Sequence, residues 1–421
     1  MASRGFLPGV LALVFVGGSA TADVPKLPKG VSSVLYEIAV PGGPPSADLV
    51  ALGDKLFNDK RLSVNDKVSC ATCHEPEKAF TDHKPLAEGV AAPKQRTQRN
   101  SPTAVNAMFN QTQFWDGRAP SLEEQAKLPV LNPIEMGQKS PDDVVAKIRG
   151  IPEYRDAFQK IAGREPTYDD IAGAIAAFER TLFAGDSPFD RFVAGDDKAI
   201  SPAAKRGWAL FNGKGRCGNC HAFSTVSPLF SDQKFHNIGI AAHKTDFIAL
   251  ARRATGAVRS GDLKQIDELA IETDLSELGR FLVTKRSNDV GAFKTPTLRN
   301  IAVTGPYMHD GSLATLWDVM DHYNKGGVPN PNLDGGMQRL GLSEAEIDDM
   351  VAFMESLTSP RFAALGRTEM AKQRAKKNVR PERDTEAAMG KKGDLGDLAP
   401  EPSPAKPAPF GVLVTKGTSY E

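Results

Sequence analysis

The chain has 421 residues, equal numbers of acidic and basic side chains (52 each) and 40% hydrophobic residues. This length is sufficient for two or three domains with cores of their own. A formal net charge of zero argues against a nucleic-acid partner and against binding to an anionic surface.

Residues 1–22 have the features of a secretory signal peptide, with a short apolar stretch at residues 6–16 and the small residues Ala-Thr-Ala at 20–22. The apolar stretch is too short for a comfortable membrane span, so a membrane anchor is the weaker alternative. We therefore expect a periplasmic mature chain without a membrane span. Residues 23–45 are expected to form an extended arm.

All four cysteines fall in two copies of the pattern Cys-x-x-Cys-His, the attachment site of c-type haem. The two thiols bind the porphyrin, and the histidine is an iron ligand. Disulfides or a zinc site would also use cysteines, but neither explains the histidine after each pair. We therefore predict two covalently bound haem c groups, attached as follows: haem 1 at Cys70, Cys73 and His74, and haem 2 at Cys217, Cys220 and His221.

The sequence before each haem motif repeats. Gly53–Phe57 and Gly207–Phe211 both read G-x-x-L-F within a helical pattern. Ser46 and Ser201 precede these segments, where helix N-caps are expected. The repeat predicts two mainly α-helical haem domains built on one plan: residues 46–195 and residues 196–360.

A second repeat lies downstream of the haem motifs. PTAVN at 102–106 matches PTLRN at 296–300, and WDG at 115–117 matches HDG at 309–311, with a constant offset of 194 residues. The two haem motifs are only 147 residues apart. The second half therefore has an additional segment between its haem motif and PTLRN, with a helical pattern near residues 246–259.

Residues 361–421 are rich in Lys, Arg, Pro, Gly and Ala and include PEPSPAKPAP. This composition does not support a packed core. We predict a disordered C-terminal tail.

The segment HDGSLATLWDVMDHYNKGG contains three possible iron ligands on a predicted helix, which Thr315 can cap with Asp318 three residues on. Met320 and Tyr323 share its apolar face, whereas His322 lies about 100° from Tyr323, which favours a solvated surface position for His322. Shifted back by 194 residues, Tyr323 falls on Pro129 and Met320 on Ala126, and neither can bind iron. Met320 or Tyr323 can thus be the sixth ligand of haem 2, while haem 1 stays open to peroxide.

The haem motifs, FWDGRAPSLEEQAKLPVLNPIEMG and FKTPTLRNIAVTGPYMHDGSLATL resemble the bacterial di-haem cytochrome c peroxidase family over about residues 45–358. The resemblance implies two cytochrome-c-like helical domains packed face to face. It implies hydrogen peroxide as the oxidant, Glu135 as its acid–base catalyst, Gln125 as its hydrogen-bond partner and Trp115 as an electron relay between the haems.

The resemblance also implies a calcium ion at the domain interface. Its protein ligands would be the Asn100 side chain and the backbone carbonyls of Thr304 and Pro306, which suit a hard cation.

Within the family, this chain resembles the MauG-like branch. Ordinary members place Met at the position of Tyr323 and a loop histidine near Ala92, and this chain has neither. The family register therefore selects Tyr323 over Met320, and Pro129 is also similar to that branch. His83 is the nearest spare histidine to haem 1, but we disfavour it as a ligand because it follows His74 closely.

Three functions are compatible with these residues. The preferred one is a haem-dependent enzyme that uses peroxide to oxidise a residue of a partner protein. The second is a peroxidase that removes peroxide with electrons from a small cytochrome or a cupredoxin. The third is a non-enzymatic di-haem electron carrier, which would need both irons to be six-coordinate.

Overall fold

The computed structural model describes residues 25–244, 246–261 and 274–377. The predicted signal peptide and the last part of the predicted tail lie outside these residues. The described part is mainly α-helical. It has one two-stranded antiparallel sheet, formed by β1 (Phe235–His236) and β2 (Phe293–Lys294).

The described helices follow the predicted repeat, and none of them is long and apolar enough to cross a bilayer. In the first half they are α1 (Ser33–Ala39), α2 (Ala47–Asn58), α3 (Cys70–Cys73), α4 (Leu122–Leu131), α5 (Pro141–Arg149), α6 (Pro152–Ala162), α7 (Tyr168–Glu179) and α8 (Pro188–Val193). In the second half they are α9 (Pro202–Asn212), α10 (Phe247–Ser260), α11 (Phe281–Thr284), α12 (Leu316–Lys325), α13 (Glu344–Glu355) and α14 (Ala363–Lys377).

The helices begin where the sequence predicts. The Ser46 side chain accepts a hydrogen bond from the backbone of α2, and Ser201 does the same for α9, which starts with Pro202. Thr315 and Asp318 form a capping box at the start of α12. These caps satisfy backbone N–H groups that have no partner within the helix.

The glycine of each G-x-x-L-F motif allows two helices to cross closely. A β-carbon on Gly53 of α2 would lie 1.8 Å from the Ala174 carbonyl oxygen of α7. A β-carbon on Gly207 of α9 would lie 2.0 Å from the Asp349 carbonyl oxygen of α13. Both halves are therefore built around one helix crossing that only glycine permits at these distances.

Each half has its own hydrophobic core. Phe57 and Leu56 lie in the first, and Phe211 and Phe353 lie in the second. The additional segment of the second half has a smaller core around α10. Phe189 of α8 packs into the second core, so that core also uses a residue before the predicted boundary at 195.

The two halves meet face to face, as predicted, through a reciprocal pair of backbone hydrogen bonds. The Asn100 N–H donates to the His309 carbonyl at 2.8 Å, and the Lys294 N–H donates to the Trp115 carbonyl at 2.8 Å. The repeat offset of 194 residues relates the two bonds. The interface is therefore pseudo-symmetric, and it brings the WDG and HDG motifs together.

The predicted extended arm is wrong for its central part, because Ser33–Ala39 is a helix. Its Ser32 cap accepts a hydrogen bond from the Leu35 N–H. Tyr36 and Val40 are buried against Met108 and Phe109. The short apolar face of this segment is enough to hold it on the first half.

The predicted disordered tail is wrong for residues 361–377, most of which form α14. Met370 is fully buried in the second core. The Gln373 side chain accepts from the Leu316 N–H at 2.9 Å and donates to the Tyr307 hydroxyl at 2.9 Å. Composition over the whole tail hid this helix, which ties the chain to the start of α12.

Candidate haem and peroxide site

A continuous cavity of about 810 Å³ lies between the two halves. Its lining is mainly apolar, and its volume is in the range of a cofactor pocket. The residues of both haem motifs line it: Cys70, Cys73, His74, Cys217, Cys220 and His221.

The two motif histidines are held in the same way. The Nδ1 atom of His74 lies 3.1 Å from the Phe80 carbonyl oxygen, and that of His221 lies 2.9 Å from the Phe230 carbonyl oxygen. Burial lowers the pKa of both imidazoles, which favours the neutral form. A neutral imidazole that donates from Nδ1 presents Nε2 as a metal ligand.

The cysteines also fit a covalently attached haem. Cys70 and Cys73 lie at the two ends of α3, one helical turn apart. Burial raises the pKa of Cys73 and of Cys217 to about 12, so these sulfurs are uncharged in the apolar cavity. Uncharged sulfur at this place suits a thioether bond to a porphyrin, and the donor set fits two c-type haems.

Helix α4 carries Gln125 and Pro129, and both line the cavity in the first half. The loop near Ala92, which has no histidine in this sequence, lies against the turn that contains Glu135. Its Val90 N–H donates to the Glu135 carbonyl at 2.9 Å. No side chain of α4 that faces the cavity on this side is a strong iron ligand.

The Glu135 carboxylate lines the same part of the cavity. It accepts a hydrogen bond of 2.8 Å from the Asn132 side-chain amide. Burial raises the pKa of Glu135, while Arg118 and the Asn132 bond oppose that rise. A raised pKa makes this carboxyl a stronger proton acceptor than an exposed glutamate, as an acid–base role requires.

Trp115 lies at the interface between the two halves. Its indole N–H donates to the Asn100 carbonyl at 2.9 Å, and its own carbonyl accepts from the Lys294 N–H. Its side chain lines the cavity that both haem motifs share. These bonds fix the indole at the place predicted for the electron relay.

Helix α12 places Tyr323 and Met320 at the cavity in the second half. Burial raises the pKa of the Tyr323 phenol, and the nearby thiols of Cys217 and Cys220 raise it further. The hydroxyl of Tyr323 has no hydrogen-bond partner among the described residues. Met320 is 3% exposed and packs in the second core.

The predicted surface position of His322 is wrong. His322 is 7% exposed, and its Nε2 atom lies 2.8 Å from the Ile238 carbonyl oxygen. The additional segment of the second half covers this side of α12, which helical facing alone could not reveal. Burial lowers the pKa of His322, and its ring nitrogen is occupied by this contact.

His83 is also placed away from the haem pocket. Its Nε2 atom lies 2.9 Å from the Val303 carbonyl oxygen, and its Nδ1 atom lies 4.0 Å from the Glu369 carboxylate. It is not among the residues that line the cavity.

The residues predicted to bind calcium, Asn100, Thr304 and Pro306, all lie at the interdomain cavity. The Asn100 amide nitrogen donates to the Lys84 carbonyl at 2.9 Å, which leaves its side-chain oxygen available. Among the described residues, neither that oxygen nor the Thr304 and Pro306 carbonyls accept a hydrogen bond. Three free oxygens of this kind fit a hard cation.

Sequence reasoning missed Glu179, a buried carboxyl that lines the cavity. Its Oε2 atom has no hydrogen-bond partner among the described residues. Burial raises the pKa of Glu179 to about 8. Glu179 continues the row of Ile171 and Ile175 at a spacing of four residues on α7, and this spacing could have revealed its burial.

The sequence also left His309 unassigned, although it is the equivalent of Trp115. Its Nε2 atom lies 2.8 Å from the Glu277 carboxylate, and its ring stacks on Phe293 with centroids 3.6 Å apart. Lys244 and His309 lower the pKa of Glu277 to about 2, against the effect of burial. His309 is therefore held by a buried carboxylate and a stacked ring, whereas Trp115 is held by backbone groups.

Two Cys-x-x-Cys-His motifs that face one interdomain cavity define a helical protein with two covalently bound c-type haems. The comparison with known proteins identifies the family. The sequence model described as di-haem cytochrome c peroxidase matches residues 47–198.

The chain is 36% identical over 358 residues to the methylamine utilization protein MauG of Methylorubrum extorquens, covering 83% of this chain and 91% of the relative. It is also 36% identical to the cytochrome c551 peroxidase of Pseudomonas aeruginosa, covering 85% and 93%. This chain therefore belongs to the di-haem cytochrome c peroxidase family, which includes MauG. It is a haem-dependent oxidoreductase.

Solved structures agree with this assignment. A crystal structure described as a MauG-like protein associated with microbial copper homeostasis superimposes with a TM-score of 0.63 and 30% sequence identity. The match covers 82% of this chain and 99% of that one.

Proposed function

We propose that this protein is a MauG-like oxidase, which activates hydrogen peroxide at haem 1 and uses both oxidising equivalents on a residue of a partner protein. The observation that carries the proposal is the pair Pro129 and Tyr323. They occupy equivalent positions on α4 and α12 and line the cavity in opposite halves. At this position the first half has a proline, which cannot bind iron, and the second half has a phenol.

Cys70, Cys73 and His74 would hold haem 1, which would supply an iron able to react with peroxide. Gln125 hydrogen-bonds the peroxide and orients it. Glu135 takes a proton at its carboxylate and returns it to the leaving oxygen, which matches its raised pKa and its place in the cavity. Asn132 holds that carboxylate in position.

Trp115 relays electrons between the two halves, and its indole is fixed for this role by the Asn100 carbonyl. Tyr323 would hold haem 2 together with His221, since both line the cavity in the second half. A tyrosinate is a hard anionic donor and favours higher oxidation states of iron, in contrast to methionine, which raises the reduction potential. A phenol in place of a thioether at this position is the feature that distinguishes this proposal from simple peroxide removal.

A calcium ion bound by Asn100, Thr304 and Pro306 completes the proposal. It would bridge the two halves, since Asn100 belongs to the first and both carbonyls belong to the second. Its contribution is structural and electrostatic, because calcium has no redox chemistry of its own here.

The protein works in the periplasm in this proposal, consistent with the signal-like residues 1–22 and with covalent haem attachment. Its partners are hydrogen peroxide and a protein, either the oxidised substrate or a small redox protein such as a cytochrome c or a cupredoxin.

Two measurements test the proposal. Electron paramagnetic resonance of the resting ferric protein is expected to give one high-spin and one low-spin haem, and two low-spin haems would exclude peroxide activation. Steady-state turnover with reduced cytochrome c and peroxide is expected to be slow. Fast turnover would instead assign the protein as a peroxidase that removes peroxide.

A further inference from the structure

The three proposed calcium ligands, Asn100, Thr304 and Pro306, form what we call the first cradle. The repeat relates them to three residues of the other half, which we call the second cradle. Counting 194 residues from each proposed calcium ligand gives its equivalent in the other half. The reciprocal backbone bonds at the interface have the same offset, so the relation holds in space as well as in sequence. The equivalents are Lys294 for Asn100, Asn110 for Thr304 and Thr112 for Pro306.

Lys294 places its ammonium group in this second cradle. Its Nζ atom donates to the Thr112 carbonyl at 2.8 Å, and Thr112 is the equivalent of the proposed calcium ligand Pro306. The Lys294 side chain is 8% exposed and lines the cavity, as does Asn110.

The ammonium group has unused hydrogen-bonding capacity. It has three N–H donors, and the Thr112 carbonyl is its one acceptor among the described residues. Burial lowers the pKa of Lys294 to about 8. A buried ammonium is costly unless anionic or carbonyl groups compensate it, so the cavity itself must supply further acceptors. The carboxylates that every haem carries are acceptors of this kind.

We propose that Lys294 is a built-in cation, whose ammonium takes in the second cradle the place that calcium takes beside Asn100. The comparison with calcium rests on the proposed function. The second cradle joins the Lys294 side chain of one half to the Thr112 carbonyl of the other, as the first would join the Asn100 side chain to carbonyls across the interface. The lysine therefore ties the two halves together as calcium would, but it cannot be removed by a chelator.

Lys294 acts as a positioning and electrostatic residue in this view. Its backbone N–H donates to the Trp115 carbonyl, and its ammonium group lies at the cavity that both haem motifs line. A fixed positive charge favours the reduced form of a nearby haem and so raises its reduction potential.

The first test is a calcium titration of the haem-loaded protein after removal of metal with a chelator. Lys294→Asn copies the side chain of the first cradle, and we expect it to bind one calcium ion more per chain than the wild type. Lys234→Asn is the matched control, because Lys234 is exposed and adjoins β1, opposite β2. It is expected to bind as the wild type does.

The calcium count separates the inference from the proposed function. A wild type that binds no calcium would refute the calcium site, whereas a Lys294→Asn variant that still gains one ion would support the second cradle. A Lys294→Asn variant that gains no ion overturns the inference.

The second test decides the matter if Lys294→Asn does not fold. Lys294→Met keeps the length of the side chain without its charge. We expect lower haem reduction potentials in a spectroelectrochemical titration, with recovery in Lys294→Arg. Unchanged potentials in Lys294→Met would overturn the inference, since a merely structural lysine would not set them.

Discussion

Helices α4 and α12 occupy equivalent positions in the two halves but carry different side chains at the cavity. Both begin with a hydroxyl cap, Ser121 or Thr315, and both line the shared cavity. Eight residues after the cap, α4 has Pro129 and α12 has Tyr323. Equivalent helices thus present a proline to the cavity in the first half and a phenol in the second, so a single side chain can make the two halves chemically different.

The most direct way to break the comparison is Tyr323→Phe. Loss of the phenol oxygen removes the proposed second ligand of haem 2, and we expect the low-spin signal of the resting ferric protein to disappear from its paramagnetic resonance spectrum. Met320→Leu on the same helix is the matched control and should leave that signal intact. An unchanged low-spin signal in Tyr323→Phe would show that the ligand is another residue.

Removing the proton carrier of the first half should have the next largest effect. Glu135→Gln keeps the shape of the side chain and its contact with Asn132, but it cannot take up a proton. We expect the rate of the peroxide-induced absorbance change in a stopped-flow experiment to fall by about 10²- to 10⁴-fold.

The exposed Glu124 of α4 provides the control for this experiment. Glu124→Gln is expected to react with peroxide at the wild-type rate. Equal rates for Glu135→Gln and the wild type would assign the acid–base step to another group.

The helix crossings offer a test in which the two halves should behave alike. Gly53→Ala and Gly207→Ala each place a methyl group against a backbone carbonyl. We expect each to lower the free energy of unfolding by roughly 1–3 kcal/mol, because overpacking displaces a helix. Denaturant titration of the haem-loaded protein measures this change.

Gly173 is the control for these substitutions. It lies within α7, and a β-carbon there would meet no atom within 4 Å. Gly173→Ala should stabilise the protein by about 0.5–1 kcal/mol through higher helix propensity. Destabilisation by Gly173→Ala as large as that by Gly53→Ala would mean that the close crossing is not the cause.

The smallest expected effect concerns Glu179, the buried carboxyl at the end of α7 in the first half. Its pKa of about 8 lies above the ordinary 4.5 of a glutamate, so the folded state binds more protons than the unfolded state between these values. Stability should therefore fall as pH rises from about 5 to about 8. Glu179→Gln should flatten this slope and add about 1 kcal/mol or more at pH 8.

Thermal or denaturant unfolding at several pH values measures this effect. The exposed Glu37 is the control, and Glu37→Gln should keep the wild-type slope. An unchanged slope in Glu179→Gln would show that its carboxyl is ionised in the folded protein.

Much of the fold and of the candidate site could be predicted because it depends on short sequence motifs. Haem attachment needs five residues in a row, and the caps of α2, α9 and α12 need a few residues each. The repeat offset added long-range information, since it identified equivalent residues in the two halves, and these residues form the reciprocal bonds at the interface. The family resemblance then supplied roles for Trp115, Gln125 and Glu135, all of which line the cavity.

The failures share a physical cause, which is packing against parts distant in sequence. His322 is buried because the additional segment covers it, and nothing within α12 shows this. Helix α14 is stable because Met370 and Gln373 reach the second core, while the composition of the tail indicated disorder. Burial of this kind depends on the partner surface, which a local pattern does not contain.

The reciprocal bonds between Asn100 and His309 and between Lys294 and Trp115 have one more consequence. They join main-chain atoms, so they do not depend on which side chains the four residues carry. Such an interface survives substitution at its centre. The two halves thus stay docked although their facing side chains differ, an amide and an indole in the first half and an ammonium and an imidazole in the second.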